Sequence, residues 1–103
     1  MRLIELNIEK IAVLCKKYRV DCLYVFGSIL TDRFNNDSDI DFAVKFDEEK
    51  IKSEKMDWAD LFFDFIHALE DLLGRKIDMV IDNRINNRYF KKELDETKKL
   101  IYG

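Results

Sequence analysis

Proline is absent from this 103-residue chain, and glycine occurs only at positions 27, 74 and 103. No linker, repeat or low-complexity stretch is visible, and the length fits one domain over residues 1–103. Glycine used this sparingly marks each internal copy as a place where the backbone needs it. Cysteine occurs twice, at 15 and 22, and histidine once, at 67. That argues against a disulfide framework and a zinc cluster, and reads as reduced thiols of a cytoplasmic protein. No apolar run approaches the length of a membrane span. The start, Met1-Arg2-Leu3-Ile4-Glu5, lacks the apolar stretch of a signal peptide. Neither sign of charge dominates: 18 Lys and Arg stand against 21 Asp and Glu, a net −3. This balance gives no electrostatic basis for direct binding to nucleic acid.

What is present is a densely charged surface, 38 % of residues, around an ordinary 48 % of hydrophobic residues. Apolar spacing predicts a helix capped by Asn7 and running to about Tyr18, with Ile8, Ile11, Ala12, Cys15 and Tyr18 as its buried stripe. Strands are expected at Cys22–Phe26, Asp39–Phe46 and Ile77–Ile81. Ile29-Leu30-Thr31 suits a short helix, and residues 32–38 a polar loop in which Asp37 takes a turn or capping role. Residues 47–55 read as a charged, mobile connection. A long helix from about Met56 to Leu73 should stop at Gly74. Its apolar arc is wide, which suits either a wedge between the sheet and another helix or, through Trp58 and Phe63, contact with a partner. His67 falls in its acidic stripe and reads as a surface residue. A last helix is expected from Tyr89 to Ile101, burying Phe90, Leu94, Thr97, Leu100 and Ile101. This order describes an α/β (α+β) domain with one small mixed sheet and flanking helices.

The chemistry concentrates on Gly27-Ser28 and on Asp39-Ile40-Asp41. Gly27 ends a strand and lets the backbone approach a ligand closely. Ser28 opens a turn whose free N–H groups would attract phosphate. Asp39 and Asp41, two apart on a strand, share a face with Cα atoms roughly 6.6 Å apart. Carboxylates that close are costly without a positive charge between them. Magnesium carried by a nucleoside triphosphate suits them, since it prefers a few carboxylates plus phosphate oxygens. With thirteen aspartates in the chain, one Asp-x-Asp carries little weight, and Asp37-Ser38-Asp39 fits the same pattern. Strand placement favours 39 and 41. A lone acid, Asp78, in the otherwise apolar third strand completes the constellation; buried and unpaired it would be costly, unless Arg75, Lys76 or Lys45 pairs with it.

Gly27-Ser28, ten residues, then Asp39-x-Asp41 resembles the signature of the nucleotidyltransferase superfamily in its minimal form (MNT). Tyr24-Val25-Phe26, Phe42-Ala43-Val44, Lys76-Ile77-Asp78-Met79-Val80, Arg88-Tyr89-Phe90 and Ile101-Tyr102-Gly103 extend the resemblance over nearly the whole chain. It implies the nucleotidyltransferase fold and a role for each matched position. Gly27 and Ser28 would hold the triphosphate of ATP. Asp39 and Asp41 would bind two Mg²⁺ ions. Asp78 would complete the metal site or deprotonate the acceptor hydroxyl. AMP would then be transferred with release of pyrophosphate. Many relatives carry Arg and Gly where this chain has Thr31 and Asp32; Arg33 is the neighbouring candidate for a phosphate ligand, and Asp32 adds negative charge near the nucleotide.

Larger nucleotidyltransferases hold the acceptor on an extra helical domain, for which this chain has no room. The resemblance therefore implies an acceptor from outside: a HEPN-family toxin, silenced by AMPylation, most simply of a tyrosine. Two other readings stand beside it. One is an antitoxin that neutralises by complex formation alone, with the three aspartates vestigial. The other is a transferase acting on a small molecule such as an aminoglycoside.

Overall fold

The computed structural model describes all residues, 1–103. Its elements are α1 (Arg2–Leu6), α2 (Ile8–Lys17), β1 (Val20–Phe26), a 3₁₀ turn (Gly27–Leu30), β2 (Ile40–Phe46), α3 (Glu48–Ser53), α4 (Trp58–Leu73), β3 (Ile77–Ile81), a second 3₁₀ turn (Asp82–Arg84), α5 (Arg88–Thr97) and β4 (Lys99–Tyr102). The four strands lie in the order β3-β2-β1-β4. β1 runs antiparallel to β2 and β4, while β2 and β3 are parallel, so the sheet is mixed.

Period-2 alternation in β2 separates the two faces. Ile40, Phe42, Val44 and Phe46 turn towards the main core. There they meet Val25 and Leu23 of β1, Ile11 and Cys15 of α2, and Leu61, Phe65, Leu69 and Leu73 of α4. Phe65 sits at the junction, edge-on to Phe46 and tilted against Tyr18. The wide apolar arc of α4 is thus a wedge between the sheet and α2. Trp58 belongs to this packing: it stacks on Phe62 with centroids 5.5 Å apart and meets Phe46 edge-on. Phe63 is 56 % exposed. The α4 helix begins at Asp57, whose carboxylate accepts from the amides of Ala59 and Asp60. It ends at Gly74, with φ at +66°. His67 is exposed.

Several expectations change. Asn7 makes no cap; its Nδ2 donates to the Leu3 carbonyl at 2.8 Å. It joins two helices, because Ile4 upstream is fully buried and gives α1 a reason to form. The Ile8 of the expected stripe is partly exposed, whereas Ile11 and Cys15 are buried. Residues 48–53 are a helix rather than a mobile connection: Asp47 caps it by accepting from the Lys50 amide, and Ile51 anchors it in the core. The final helix stops at Thr97, and Lys99–Tyr102 instead form β4 along β1. A helical period does run on through Leu100 and Ile101, but the open edge of β1 supplies backbone hydrogen bonds that a frayed helix end lacks. Leu100, expected inside, is 51 % exposed. Asp37 does sit in the turn, yet the capping group is Asn35, whose Oδ1 accepts from the Asp37 amide at 2.8 Å.

Both cysteines are free. Burial pushes the Cys15 thiol up to about 12, while Cys22 is only half-buried. A thiol reagent at neutral pH is therefore expected to label Cys22 alone in the native protein, and both cysteines in denaturant. Mass spectrometry after a short pulse checks this; equal native labelling of both would contradict the burial of Cys15.

Candidate active site

On the sheet face opposite the main core, the register places Phe26 beside Asp41 and Asp41 beside Asp78. One row across β1, β2 and β3 therefore carries an aromatic ring and two of the three expected acids. Asp39 lies just before β2, half-buried, at the same end of the sheet. The row is completed by Gly27, which has φ +79° and approaches Asp41 so closely that an added Cβ would collide with its carboxylate. Gly27 and Asp41, fourteen residues apart in sequence, thus depend on each other's shape.

None of Asp39, Asp41 and Asp78 joins an ion pair within the chain. Of the cations that could have neutralised Asp78, Arg75 binds backbone carbonyls, Lys45 lies 3.9 Å from Asp21, and Lys76 joins no ion pair. Asp78 is exposed on the edge strand rather than buried. Its presence there is not explained by the cost of burial, and solvent access suits a group that meets an external reactant. Burial, then the Asp78 and Asp39 carboxylates, hold the Asp41 carboxyl above its ordinary range. The three acids do not close into a ready-made metal cage. Such a set suits magnesium, which keeps waters and phosphate oxygens as its remaining ligands, better than a metal needing a full protein shell.

The sign for stability follows. A carboxyl raised in the folded state favours folding while protonated, and loses that contribution as pH rises through its raised value. At neutral pH the Asp41 charge therefore weighs against the fold. Asp41→Asn is expected to raise the melting temperature at pH 7 in metal-free buffer. The gain should shrink below about pH 4, where a carboxyl is protonated in either state. Differential scanning fluorimetry across pH reads this out; a variant less stable than wild type at pH 7 would contradict it.

Beside the acids a cavity of about 700 Å³ opens between the 3₁₀ turn and α5, lined by Gly27, Ser28, Thr31, Arg33, Phe90 and Glu93 among others. The acids are not on its wall; Gly27 and Ser28 stand between it and them. Phe90 faces Phe26 edge-on at 6.0 Å, and Leu94, 1 % exposed, fixes α5 on the sheet. Thr31 closes the turn: its Oγ1 donates to the Ser28 carbonyl at 2.8 Å and accepts from the Arg33 amide at 3.2 Å. This leaves the Arg33 side chain on the cavity wall, while Asp32 is not part of it.

The far end of α5 is held by a network absent from the sequence reading. Lys98 reaches Asp82 at 3.0 Å and Asp95 at 2.8 Å; Lys91 reaches the same two at 3.1 and 2.9 Å. Lys98 also lies over the Tyr24 ring, 4.1 Å from its centroid. Burial alone would lower the Lys98 pKa, but the hydrogen bonds to Asp95 and Asp82 raise it on balance. The spacings of Lys91, Asp95 and Lys98 were visible in the sequence; that Asp82 would be buried beneath them was not.

The family model for polymerase beta nucleotidyltransferases matches residues 9–103. The chain belongs to this nucleotidyltransferase family. Among sequence relatives, the "Putative protein adenylyltransferase MJ1379" of Methanocaldococcus jannaschii is 36 % identical over 90 residues, 87 % of this chain and 83 % of that protein. Among solved structures, a "putative minimal nucleotidyltransferase" superposes with a TM-score of 0.73 at 24 % identity, covering 92 % of this chain and 89 % of the other. A complex of tri-AMPylated Shewanella oneidensis HEPN toxin with MNT antitoxin contains a chain with TM-score 0.66 and 22 % identity, covering 97 % of this chain and 72 % of that one. These likenesses establish the nucleotidyltransferase fold. The mixed sheet expected from the order of elements is the sheet of this nucleotidyltransferase. No helix of it is long and apolar enough to cross a membrane.

Proposed function

We propose that this nucleotidyltransferase transfers AMP from ATP to a hydroxyl of a partner protein, and that the partner is a HEPN toxin that it silences as an antitoxin. The observation that carries the reading is the row of Gly27, Asp41 and Asp78, with Asp39 at its end. These acids lack protein cations, and they adjoin a turn and cavity sized for a nucleotide. The names of the relatives point the same way: protein adenylyltransferases in sequence, and MNT antitoxins with HEPN toxins in fold.

Gly27 and Ser28 hold the triphosphate, and Arg33 supplies a positive charge from the cavity wall. Asp39 and Asp41, with Asp78, would hold Mg²⁺ brought with the nucleotide, two ions in all; such ions neutralise charge developing on the entering and leaving oxygens. The acceptor oxygen, a tyrosine hydroxyl in the simplest case, attacks the α-phosphorus. Its new P–O bond replaces the bond to the bridging oxygen, and pyrophosphate departs. The hydroxyl proton goes to Asp78, the acid most open to an acceptor arriving from outside. We place this reaction in the cytoplasm, where ATP is available and Cys15 and Cys22 stay reduced.

The test is the intact mass of a purified HEPN partner after incubation with this protein, ATP and Mg²⁺. Addition of one or more adenylyl groups, mapped to tyrosine by peptide fragmentation, is the expected result. An unmodified partner that is nevertheless silenced in a stable complex would overturn it in favour of neutralisation by binding.

A further inference from the structure

Arg75 is a cation among acids that pairs with none of them. Its Nη1 donates to the Asn35 carbonyl at 2.8 Å and to the Ser38 carbonyl at 2.9 Å. Its guanidinium lies 4.5 Å from the centroid of the Phe34 ring. Ser38 directly precedes Asp39. On the other side of Asp39, the Ile40 amide donates to the Lys76 carbonyl at 3.0 Å. The backbone on both sides of Asp39 is therefore held by residues 75 and 76. From there the register runs Ile40 beside Ile77 and Asp41 beside Asp78.

Besides Arg75, the loop is placed by Phe34, which packs against the core. Its own bonds are local: the Asn35 amide donates to Ser38 Oγ at 3.1 Å, and the Ser38 amide to the Asn35 carbonyl at 3.1 Å. These close the turn on itself without fixing it to the sheet. The links to residues 75 and 76, just before β3, do that, and Arg75 contributes three of them: two hydrogen bonds and one cation–π contact with Phe34. An arginine suits the task because its planar group can donate in plane and stack on a ring at once.

We propose that Arg75 is a positioning residue for Asp39, setting its carboxylate relative to Asp41 and Asp78 and so setting the affinity of the site for a divalent cation. This rests on the transferase reading of the same site. Residues that orient metal ligands without touching the metal typically change affinity or activity by about 10–100-fold when replaced.

The experiment uses the full chain with ATP and Mn²⁺ as probe. Mn²⁺ binding is read by electron paramagnetic resonance, and the Mg²⁺ dependence of pyrophosphate release is read separately with the HEPN partner present as acceptor. Arg75→Gln is expected to weaken Mn²⁺ binding at least tenfold and to shift the half-maximal Mg²⁺ concentration upward. Arg75→Lys, which keeps a long, charged donor in reach of the carbonyls where the shorter Gln amide does not, should restore part of both. Phe34→Leu removes the ring beneath Arg75 while keeping an apolar side chain against the core, and should move both readouts the same way by less; it stands in if Arg75→Gln does not fold. Unchanged Mn²⁺ affinity in Arg75→Gln, with only a lowered melting temperature, would overturn the proposal and leave Arg75 a purely structural residue. A wild type that binds Mn²⁺ with ATP but releases no pyrophosphate would sink the transferase reading, while the Mn²⁺ affinities would still decide the role of Arg75. A wild type that binds no Mn²⁺ overturns both.

Discussion

The Asp39→Ala/Asp41→Ala double variant is expected to lose AMP transfer by roughly 10³-fold or more while remaining folded. Two of the three candidate metal-holding carboxylates disappear, and with them about 4 kcal/mol of stabilisation of charge in the transition state, equivalent to that factor. Folding should not suffer to match. Asp41 carries a carboxyl raised by burial and by its acidic neighbours, and none of the acids has an ion-pair partner whose loss would be felt. Adenylyl incorporation into the partner, followed by mass, and melting temperature without metal give the two readings. Loss of activity with melting unchanged or raised is the expected pair. Full activity would remove Asp39 and Asp41 from the mechanism. Parallel loss of activity and structure would make them structural.

Gly27→Ala should be nearly as damaging by a different route. An L-residue at φ +79° costs on the order of 1–2 kcal/mol, and the new methyl group would have to displace the Asp41 carboxylate. For a domain of this size each kcal/mol lowers the melting temperature by roughly 4–8 °C. The displaced carboxylate adds loss of transfer, expected at about 100-fold or more, in line with the cost of a misplaced group at a reacting centre. Gly74→Ala is the control. It has a similar positive φ of +66°, but nothing lies within 4 Å of the added Cβ. It should show the backbone cost alone, with transfer unchanged. If both variants melt earlier by the same amount and keep activity, the contact between Gly27 and Asp41 has no catalytic meaning.

The parts of this fold that were legible in the sequence are those whose signal is local. Alternation in Ile40–Phe46, the apolar arc of α4 with Gly74 behind it, and the spacing from Gly27-Ser28 to Asp39 and Asp41 each need one short window. The parts that were missed depend on partners distant in sequence. Lys99–Tyr102 form a strand because β1 has a free edge, which nothing in those four residues announces. The α3 helix looked like a solvated charge run because its single buried residue, Ile51, finds its core elsewhere. Asp78 looked buried because its neighbours in sequence are apolar, yet it lies on an edge strand where one side chain can stand in water. Arg75 was read as a possible partner of Asp78, because its actual acceptors are backbone carbonyls that every residue carries.

The pairing of β4 with β1 joins residues 99–102 to residues 23–25, the widest separation in the sheet. The acids are brought together by the pairings of β1 with β2 and β2 with β3, which close shorter loops. Chain entropy therefore favours assembly of the acidic row before the α5–β4 segment docks beside it. The two halves of the site are then separable in free energy. The segment that walls the cavity can open as a unit at less cost than global unfolding, leaving the acids in place. Native-state hydrogen exchange is expected to show this as earlier exchange of amides in residues 88–102 than of those in β2, with the acidic row left intact.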